Sequence, residues 1–560
     1  MKKYILPVFG MLCMSAAYGQ AIVDAARFGS TNIAGTARYR SMGGAFGALG
    51  GDPSAMNDNP AGMGIYRGTN EISFTPNLSF AHSKVKGTFD TDNKKSDCSL
   101  SNFSFVLSFK TDGEHLVNFN IGAGYNHNEG LRRKYQMILN YPTSSFGQYL
   151  SNRANNILMA LGQYNNPEYL TTDEAWNNGS IPLSVLYAMD TYAIDTKKDA
   201  AGNSLNEGVI SYDEAQGLAS YQRMYVTEQN RQDAYNLNLS ANWSDRLYAG
   251  LTMTIHDLNS RIDTEIDEDY TENYMGSYTQ YFNYLESKGT GFGLKAGLLY
   301  KPTDMWRIGV AAHTPIWYKM EDIYNGTMQT DAYGTKPTGG DNYSFKYRYY
   351  SPWQLQLSSA WVIARRGLVG IEVDMQDFAT QKFKSNDEDW DDGNGGFDAL
   401  NDMFKDYNRT QLTYKVGGEY RVTDHFSLRA GFAYRTSPYK DELYDHPEMS
   451  RAWHNGYYGD DNTLLFDSST KPNYSLLGSQ QYYTAGMGWH GDWWHIDLSF
   501  MDRVMHEKIA MFPTTDAVYQ VTGQGVVTMT DDSQFGAVKA THCDMISRNL
   551  VWDVTIGLKF

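Results

Sequence analysis

A chain of 560 residues would ordinarily divide into several soluble domains, yet 64 Asp and Glu against 47 Lys and Arg give a formal net charge of −17, and the mean hydropathy is −0.51. That acidity excludes nucleic acid as a partner, and past the N-terminal leader there is no apolar run of about 18 residues to make a transmembrane helix. With 42 Tyr, 52 Gly and only 15 Pro, the composition leaves an exported β-rich chain: an outer-membrane barrel or a secreted enzyme.

The chain opens with Lys2 and Lys3, then the apolar run Tyr4 to Met14, then Ser15-Ala16-Ala17-Tyr18-Gly19. This is a basic, then apolar, then small-residue series, so residues 1–19 are expected to be a cleaved secretory signal. Leu12 stands before Cys13 where a lipoprotein signal wants a small residue, which argues against lipidation. Residues 20–69 fit no strand. They hold the glycine-rich stretch Gly43 to Gly64, GGAFGALGGDPSAMNDNPAGMG, which invites a phosphate-loop reading. The chain has no Gly-Lys dipeptide, the glycine spacing is wrong for G-x-G-x-x-G, and the stretch precedes a strand instead of sitting in a βαβ unit.

From about residue 70 onward, period-two alternation dominates. Phe103, Phe105, Leu107 and Phe109 share one face; so do Tyr235, Leu237, Leu239, Ala241 and Trp243, then Phe426, Leu428, Ala430, Phe432 and Tyr434. The last strand places Leu550, Trp552, Val554, Ile556, Leu558 and Phe560 together. One greasy face and one mostly polar face is what a lipid-facing barrel strand requires. Short polar turns at 111–113, 244–245, 302–304, 364–367, 423–424 and 490–492 are each flanked by two such runs, so each is a hairpin. With a first strand near 70–81 and a last near 546–560, the prediction is an all-β transmembrane antiparallel barrel of about 14 strands, an even number as single-chain barrels require. The long polar segments near 82–99, 129–228, 262–280, 320–341, 379–408, 439–477 and 507–544 are then extracellular loops, and both termini are periplasmic. The terminal Phe560 suits the signal that such proteins present to the barrel assembly machinery.

The largest loop carries apolar residues of its own. Phe146, Tyr149, Leu150, Ile157, Leu158 and Leu161 fall at helical spacing, and Leu183 and Leu186 lie in a second apolar piece. A loop of that length is expected to be functional or folded back on the barrel. The acidic run from Asp387 comes close to a calcium loop, but Asp392 stands where Gly is needed and Asp398 where Glu is needed, so a solvated loop is the better reading. His127 and His313 are the only histidines suggesting haem, weakly, and no cofactor or metal is expected. Cys98 and Cys543 remain after the leader and could pair or stay free. A G-x-S-x-G elbow and a zinc-protease H-E-x-x-H are both missing, so no enzyme is expected. By strand parity Lys295, Arg307, Glu372, Asp374, Lys415, Glu419, Arg421, Arg429 and Arg435 point into the lumen. Mutual ion pairing is the favoured role; a ligand carboxylate held by Arg307, Lys415, Arg429 or Arg435 is the functional one.

Residues 37–66, ARYRSMGGAFGALGGDPSAMNDNPAGMGIY, resemble the N-terminal hatch signature of the FadL/TodX outer-membrane transporters of long-chain fatty acids and aromatic hydrocarbons. The matching positions are Gly43, Gly44, Ala45, Asp52, Ser54, Ala55, Asn59, Pro60, Ala61 and Gly62; Gly51-Asp52-Pro53 departs modestly from the usual Ala-Asp-Asp. The resemblance implies a hatch over 20–69 inside a barrel over 70–560. It also implies capture of an apolar ligand on the loop residues named above, gating by the hatch, and lateral release into the membrane at a third-strand kink. Gly122, Gly124 and Gly130 are the kink candidates, since glycine weakens or bulges a strand; close approach of the hatch is their other explanation. Expected partners are a hydrophobic small molecule, outer-membrane lipid and lipopolysaccharide, and the assembly machinery, with the protein a monomer. The competing expectation is a receptor for haem or another ligand without lateral diffusion.

Overall fold

The computed structural model describes residues 22–113, 115–177, 181–199, 201–211, 219–270, 277–332, 336–364, 366–386, 397–445, 453–454, 457–458, 471–515, 519–521, 527–529 and 538–560. The expected leader at 1–19 and all but the end of the acidic stretch 387–398 lie outside these residues.

Fourteen antiparallel strands close into a barrel. They are β1 Glu71–Lys86, β2 Thr91–Lys110, β3 Leu116–Asn140, β4 Ala219–Trp243, β5 Leu247–Tyr270 and β6 Tyr278–Tyr300. Then come β7, in two segments Trp306–His313 and Trp317–Thr330; β8, Tyr343–Tyr350 and Gln354–Ile363; and β9, Gly367–Asp377 and Lys382–Ser385. Last are β10 Thr410–Arg421, β11 Phe426–Arg435, β12 Tyr474–His490, β13 Trp494–Ala510 and β14 Cys543–Lys559. Closure is the β14–β1 ladder, Leu558 opposite Ile72 and Leu550 opposite Phe80. All six short turns read from the sequence join neighbouring strands.

Lipid exposure explains the alternation. On β4, Leu237 and Leu239 are 51% and 56% exposed, whereas Asn236 and Asn238 between and beside them are buried. The strands are longer than the sequence suggested: β3, β4 and β5 have 25, 25 and 24 residues, against the ~9–11 needed to cross a bilayer. Residues expected in loops, such as 91–99 and 262–270, are strand. Above the hydrocarbon neither face must be apolar, so the ladder continues while the period-two signal stops.

Two places break the wall near the top of the apolar band. Pairing of β2 with β3 ends at Asn102↔Asn126. Above it β2 pairs only with β1, and backbone hydrogen bonding to β3 resumes in the β1–β2 turn, where Thr88 N–H donates to Ile138 O at 3.0 Å. On its other side β3 slips register against β4 between Glu129 and Arg132, a bulge centred on Gly130. The second break runs across β7, β8 and β9, at Thr314-Pro315-Ile316, Ser351-Pro352-Trp353 and Phe378–Thr380. His313 opposes Gln354 below and Trp317 opposes Tyr350 above, so Pro315 and Pro352 face each other. Neither can donate to a neighbouring strand.

Inside the barrel lies the N-terminal segment: helices α1 Ile22–Gly29 and α2 Ala37–Ser41 and two 3-10 turns, Pro53–Met56 and Pro60–Tyr66. The extracellular mouth is filled by a cap built from the large loop. Its helix α3, Phe146–Ala160, is capped by Ser145 and Gln148 acting reciprocally. Glu268 on β5 accepts the N–H groups of Phe146 and Gly147 at 2.9 and 3.2 Å. Cap residues and inward residues of the upper wall, including Met137, Met224, Ile266 and Ile509, form one apolar cluster. Cys543 is buried in it, Cys98 is exposed, and both thiols are free.

A plugged lumen and a gapped wall

The glycine-rich stretch folds tightly because its turns need left-handed backbone. Gly43, Gly44, Gly50 and Gly51 have φ of 64°, 71°, 61° and 69°, a region that costs residues with a β-carbon energy. Side chains then cap the bends. Asp52 accepts from Ser54 N and from the Thr36 hydroxyl, each at 2.9 Å. Asn59 caps the turn that begins at Pro60, accepting from Ala61 N at 3.1 Å, and its amide donates to Gly47 O at 2.6 Å. The Asp-x-Ser and Asn-Pro-Ala-Gly elements are therefore the hydrogen-bonded corners of the plug.

The wall makes room for it. Inward-facing Gly250, Gly297, Gly309, Gly370, Gly417 and Gly431 come from six strands, β5, β6, β7, β9, β10 and β11. At each, an added β-carbon would collide with hatch atoms at Pro60, Asn59, Gly47, Ala45, Met42 and Met42 again. These positions were missed in the sequence; the available signal was glycine recurring at inward parity.

Ion pairs hold the plug to the wall. Arg40 pairs with Asp553 on β14 at 2.7 Å, both side chains essentially unexposed, and Arg38 pairs with Glu419 at 2.9 Å. Asp58 lies 3.9 Å from the Lys415 ammonium, which also contacts Glu372 at 2.6 Å and Asp374 at 2.8 Å. Asp58 further accepts from Gln356 at 2.7 Å and from the Tyr39 hydroxyl at 3.3 Å. Burial pushes the Asp58 carboxyl up to about 6, against the opposing pull of Lys415.

The four candidate ligand cations are all engaged. Arg429 sits between Glu419 and Asp497 at 2.6 and 2.5 Å, and Arg307 donates to Leu49 O at 2.5 Å. Neither borders the lumen cavity, so for both the structural role prevails. Lys415 and Arg435 do border it. Arg435 donates to Thr31 O and, at 3.1 Å, to the Thr413 hydroxyl, and makes no ion pair among the described residues.

That cavity, about 90 Å³, lies between Phe28–Ile33 and Asp58 of the hatch and wall residues such as Asn126, His313, Ile316 and Pro352. It falls well short of the ~300 Å³ at which small-molecule pockets begin. Above it, α1 fills an apolar chamber with Ile22, Val23, Ala26 and Phe28, against Tyr318, Tyr349, Phe383, Phe404 and Leu477. Arg27–Glu228 at 2.9 Å and Asp24–Lys471 at 2.7 Å fix the helix there.

The other predicted residues divide. Phe146, Tyr149, Leu150, Leu158 and Leu186 are at most 1% exposed, and Ile157, Leu161 and Leu183 pack against them. They form the core of the cap and not an open capture surface. Amphipathic spacing shows that a face is covered, not that a ligand covers it. Gly122 and Gly124 do not kink β3: both sit in unbroken ladders, and their missing side chains leave space for Met56 and Met63 of the hatch. Gly130 is at the bulge, so close to β4 that a β-carbon would strike the Asn230 backbone. Beside it the gap is bridged by Arg132 and Asp97, and a small pocket behind Gly130 is lined by Arg27, Asn32, Gln232 and Arg503. His127 contacts Asp233 at 2.7 Å and His313 contacts Asp58 O at 2.8 Å.

A family model described as outer membrane protein transport protein (OMPP1/FadL/TodX) matches residues 214–454. No curated protein matches the chain. Among solved structures, a FadL homologue from Pseudomonas aeruginosa is 14% identical with a TM-score of 0.50, covering 95% of this chain and 99% of that one. The toluene transporter TodX from P. putida is 12% identical with a TM-score of 0.50, covering 94% and 99%. The plugged fourteen-strand barrel thus has the fold of those solved outer-membrane transporters, and its segment 214–454 is similar to the OMPP1/FadL/TodX transport-protein model.

Proposed function

We propose that the protein is a gated channel for hydrophobic small molecules, long-chain fatty acids foremost, which releases them sideways into the membrane between β2 and β3. The observation that carries this reading is the lapse of the β2–β3 ladder beside Gly130. Irregular backbone at membrane depth is tolerated only where it is buried in protein or lines a cavity, and here side chains alone close the gap. The closed cavity is too small for an acyl chain, so passage requires the hatch to move. Arg435, at the cavity and held by Thr31 O and the Thr413 hydroxyl with no carboxylate partner among the described residues, is the group suited to a ligand carboxylate; this favours fatty acids over neutral aromatics. The cap residues around Phe146 and Leu150 form the inner wall of the entry route, reached when the cap loosens. Both haem candidates already serve structural hydrogen bonds, which leaves that reading without support.

Uptake of labelled oleate and of labelled toluene, in cells with and without the gene, tests the proposal. Gene-dependent oleate entry that falls in an Arg435→Met variant is expected. Equal oleate entry in both cell types sinks the reading; toluene entry alone moves the substrate to aromatic hydrocarbons.

A further inference from the structure

The outer face of β6 to β9 changes character over three successive rungs. In the lowest, Phe292, Trp317, Tyr350 and Lys382 lie side by side by register. Phe292 stacks on Trp317 with ring centroids 6.1 Å apart. Two residues higher come Thr290, Lys319, Arg348 and Lys384, and above them Lys288, Glu321 and Lys346. The intervening Tyr318, Met320, Tyr347, Tyr349 and Phe383 are buried in the lumen cluster, so these rungs point outward. Below them the same face is apolar, with Leu298, Val310, Leu357 and Ile371 exposed.

An aromatic rung above an apolar band marks the membrane interface, so the basic rung stands at the height of the outer-leaflet headgroups. Its three cations are directly opposed across adjacent strands, an arrangement in which like charges repel at ~5 Å between β-carbons. The upper rung has its own acids, Lys346–Glu321 at 3.8 Å and Lys288–Glu286 at 2.9 Å. In the middle rung neither Lys319 nor Lys384 makes an ion pair among the described residues. A multivalent anion at this height turns the repulsion into charge-assisted hydrogen bonding.

We propose that Lys319, Arg348 and Lys384 form a binding site for the phosphate groups of a lipopolysaccharide in the outer leaflet. Lys382 and Lys346 flank the phosphates, and Trp317 and Tyr350 lie against the start of the acyl chains. The site faces lipid and does not depend on the transport reading. It rests only on the outer-membrane location and the strand register.

The test compares the parent barrel with the Lys319→Gln/Arg348→Gln/Lys384→Gln variant, both extracted from outer membranes in a mild detergent. Native mass spectrometry counts retained lipopolysaccharide. Thermal unfolding then follows addition of diphosphorylated lipid A, dephosphorylated lipid A or inorganic phosphate. The expected result is retained lipopolysaccharide and a raised Tm with diphosphorylated lipid A for the parent, and loss of both in the triple variant. A Lys319→Arg/Lys384→Arg variant, which keeps the charge, retains both. Unchanged heat-modifiable migration on gels verifies folding; if the triple variant misfolds, Lys319→Gln alone serves, with a partial loss expected. Equal lipopolysaccharide on parent and variant overturns the proposal. So does a Tm rise of the same size with dephosphorylated lipid, or with inorganic phosphate, which would mean an adventitious ion only.

Discussion

The two interruptions of the barrel wall lie near the same edge of the apolar band but are closed by different forces. At the Pro315–Pro352 seam the ladder resumes in its former register on the far side. The Ser351 hydroxyl accepts the Ile316 N–H at 2.9 Å, and Ser351 N–H donates to Ile316 O at 3.1 Å. Tyr318, Tyr349 and Phe378 fill the space behind. At the β2–β3 gap the ladder lapses, and the closure is ionic: Arg132 to Asp97 across the opening, and Arg133 to Glu228 and Glu507 inside. A seam packed with aromatic side chains resists opening by lost burial. A gap spanned by side-chain ion pairs opens without breaking a backbone hydrogen bond. The comparison teaches that a missing ladder is not by itself a gate; what lies behind it decides.

The largest expected effect comes from locking the gap. In a Cys98→Ser/Cys543→Ser background, Asp97→Cys and Arg132→Cys joined by a short bifunctional maleimide should reduce oleate uptake to the level of cells lacking the gene. Full uptake after complete cross-linking would break the contrast. Next, Arg40→Ala takes the guanidinium away from the buried Asp553 carboxylate, a change that costs ~3–5 kcal/mol in comparable buried pairs. Looser hatch seating, read as added ion conductance in planar bilayers, is expected. Third, Gly417→Val pushes a side chain into Met42, an overpacking worth ~1–3 kcal/mol, and should raise hydrogen exchange at residues 42–44.

A smaller effect concerns pH. The Asp58 carboxyl, at about 6 when seated, lies above its ordinary value of 3.8. Its contribution is therefore complete below about pH 4 and is lost as pH rises through about 6. Asp58 faces Tyr39, Gln356, Lys415, Asp374 and Glu372, with His313 on its carbonyl. Exchange of hatch amides 53–62, corrected for intrinsic rates, should be slower at pH 4.5 than at pH 7, and Asp58→Asn should remove the difference. The smallest effect belongs to the seam. Pro315→Val with Pro352→Val should leave oleate uptake unchanged; a clear fall would promote the seam to a second exit.

The membrane-crossing part of the fold was legible because hydrocarbon imposes alternation on every strand, from Phe103–Phe109 to Leu550–Phe560. Above the bilayer that constraint ends, which is why the upper halves of β2 and β5 read as loops. In the site, Asp52, Ser54 and Asn59 were visible as a motif, since capping chemistry demands those residue types. The partner of a helical apolar face is set by tertiary packing, so Phe146 and Leu150 pointed to burial without saying against what. Gly122 and Gly130 look alike in sequence and differ only in what faces them, a hatch methionine in one case and a neighbouring backbone in the other. The glycines that clear the lumen were open to detection by parity, yet parity becomes informative only once something is known to lie inside.

The pair Arg40–Asp553 joins the hatch to strand β14, and Ala37 N–H donates to Thr555 on that strand at 2.7 Å. Strand β14 is also the one whose pairing with β1 shuts the barrel. The plug is thus fastened to the closing stave: the contacts that seat the hatch and the ladder that shuts the barrel share one strand, so whatever frays that seam also loosens the anchor of the plug.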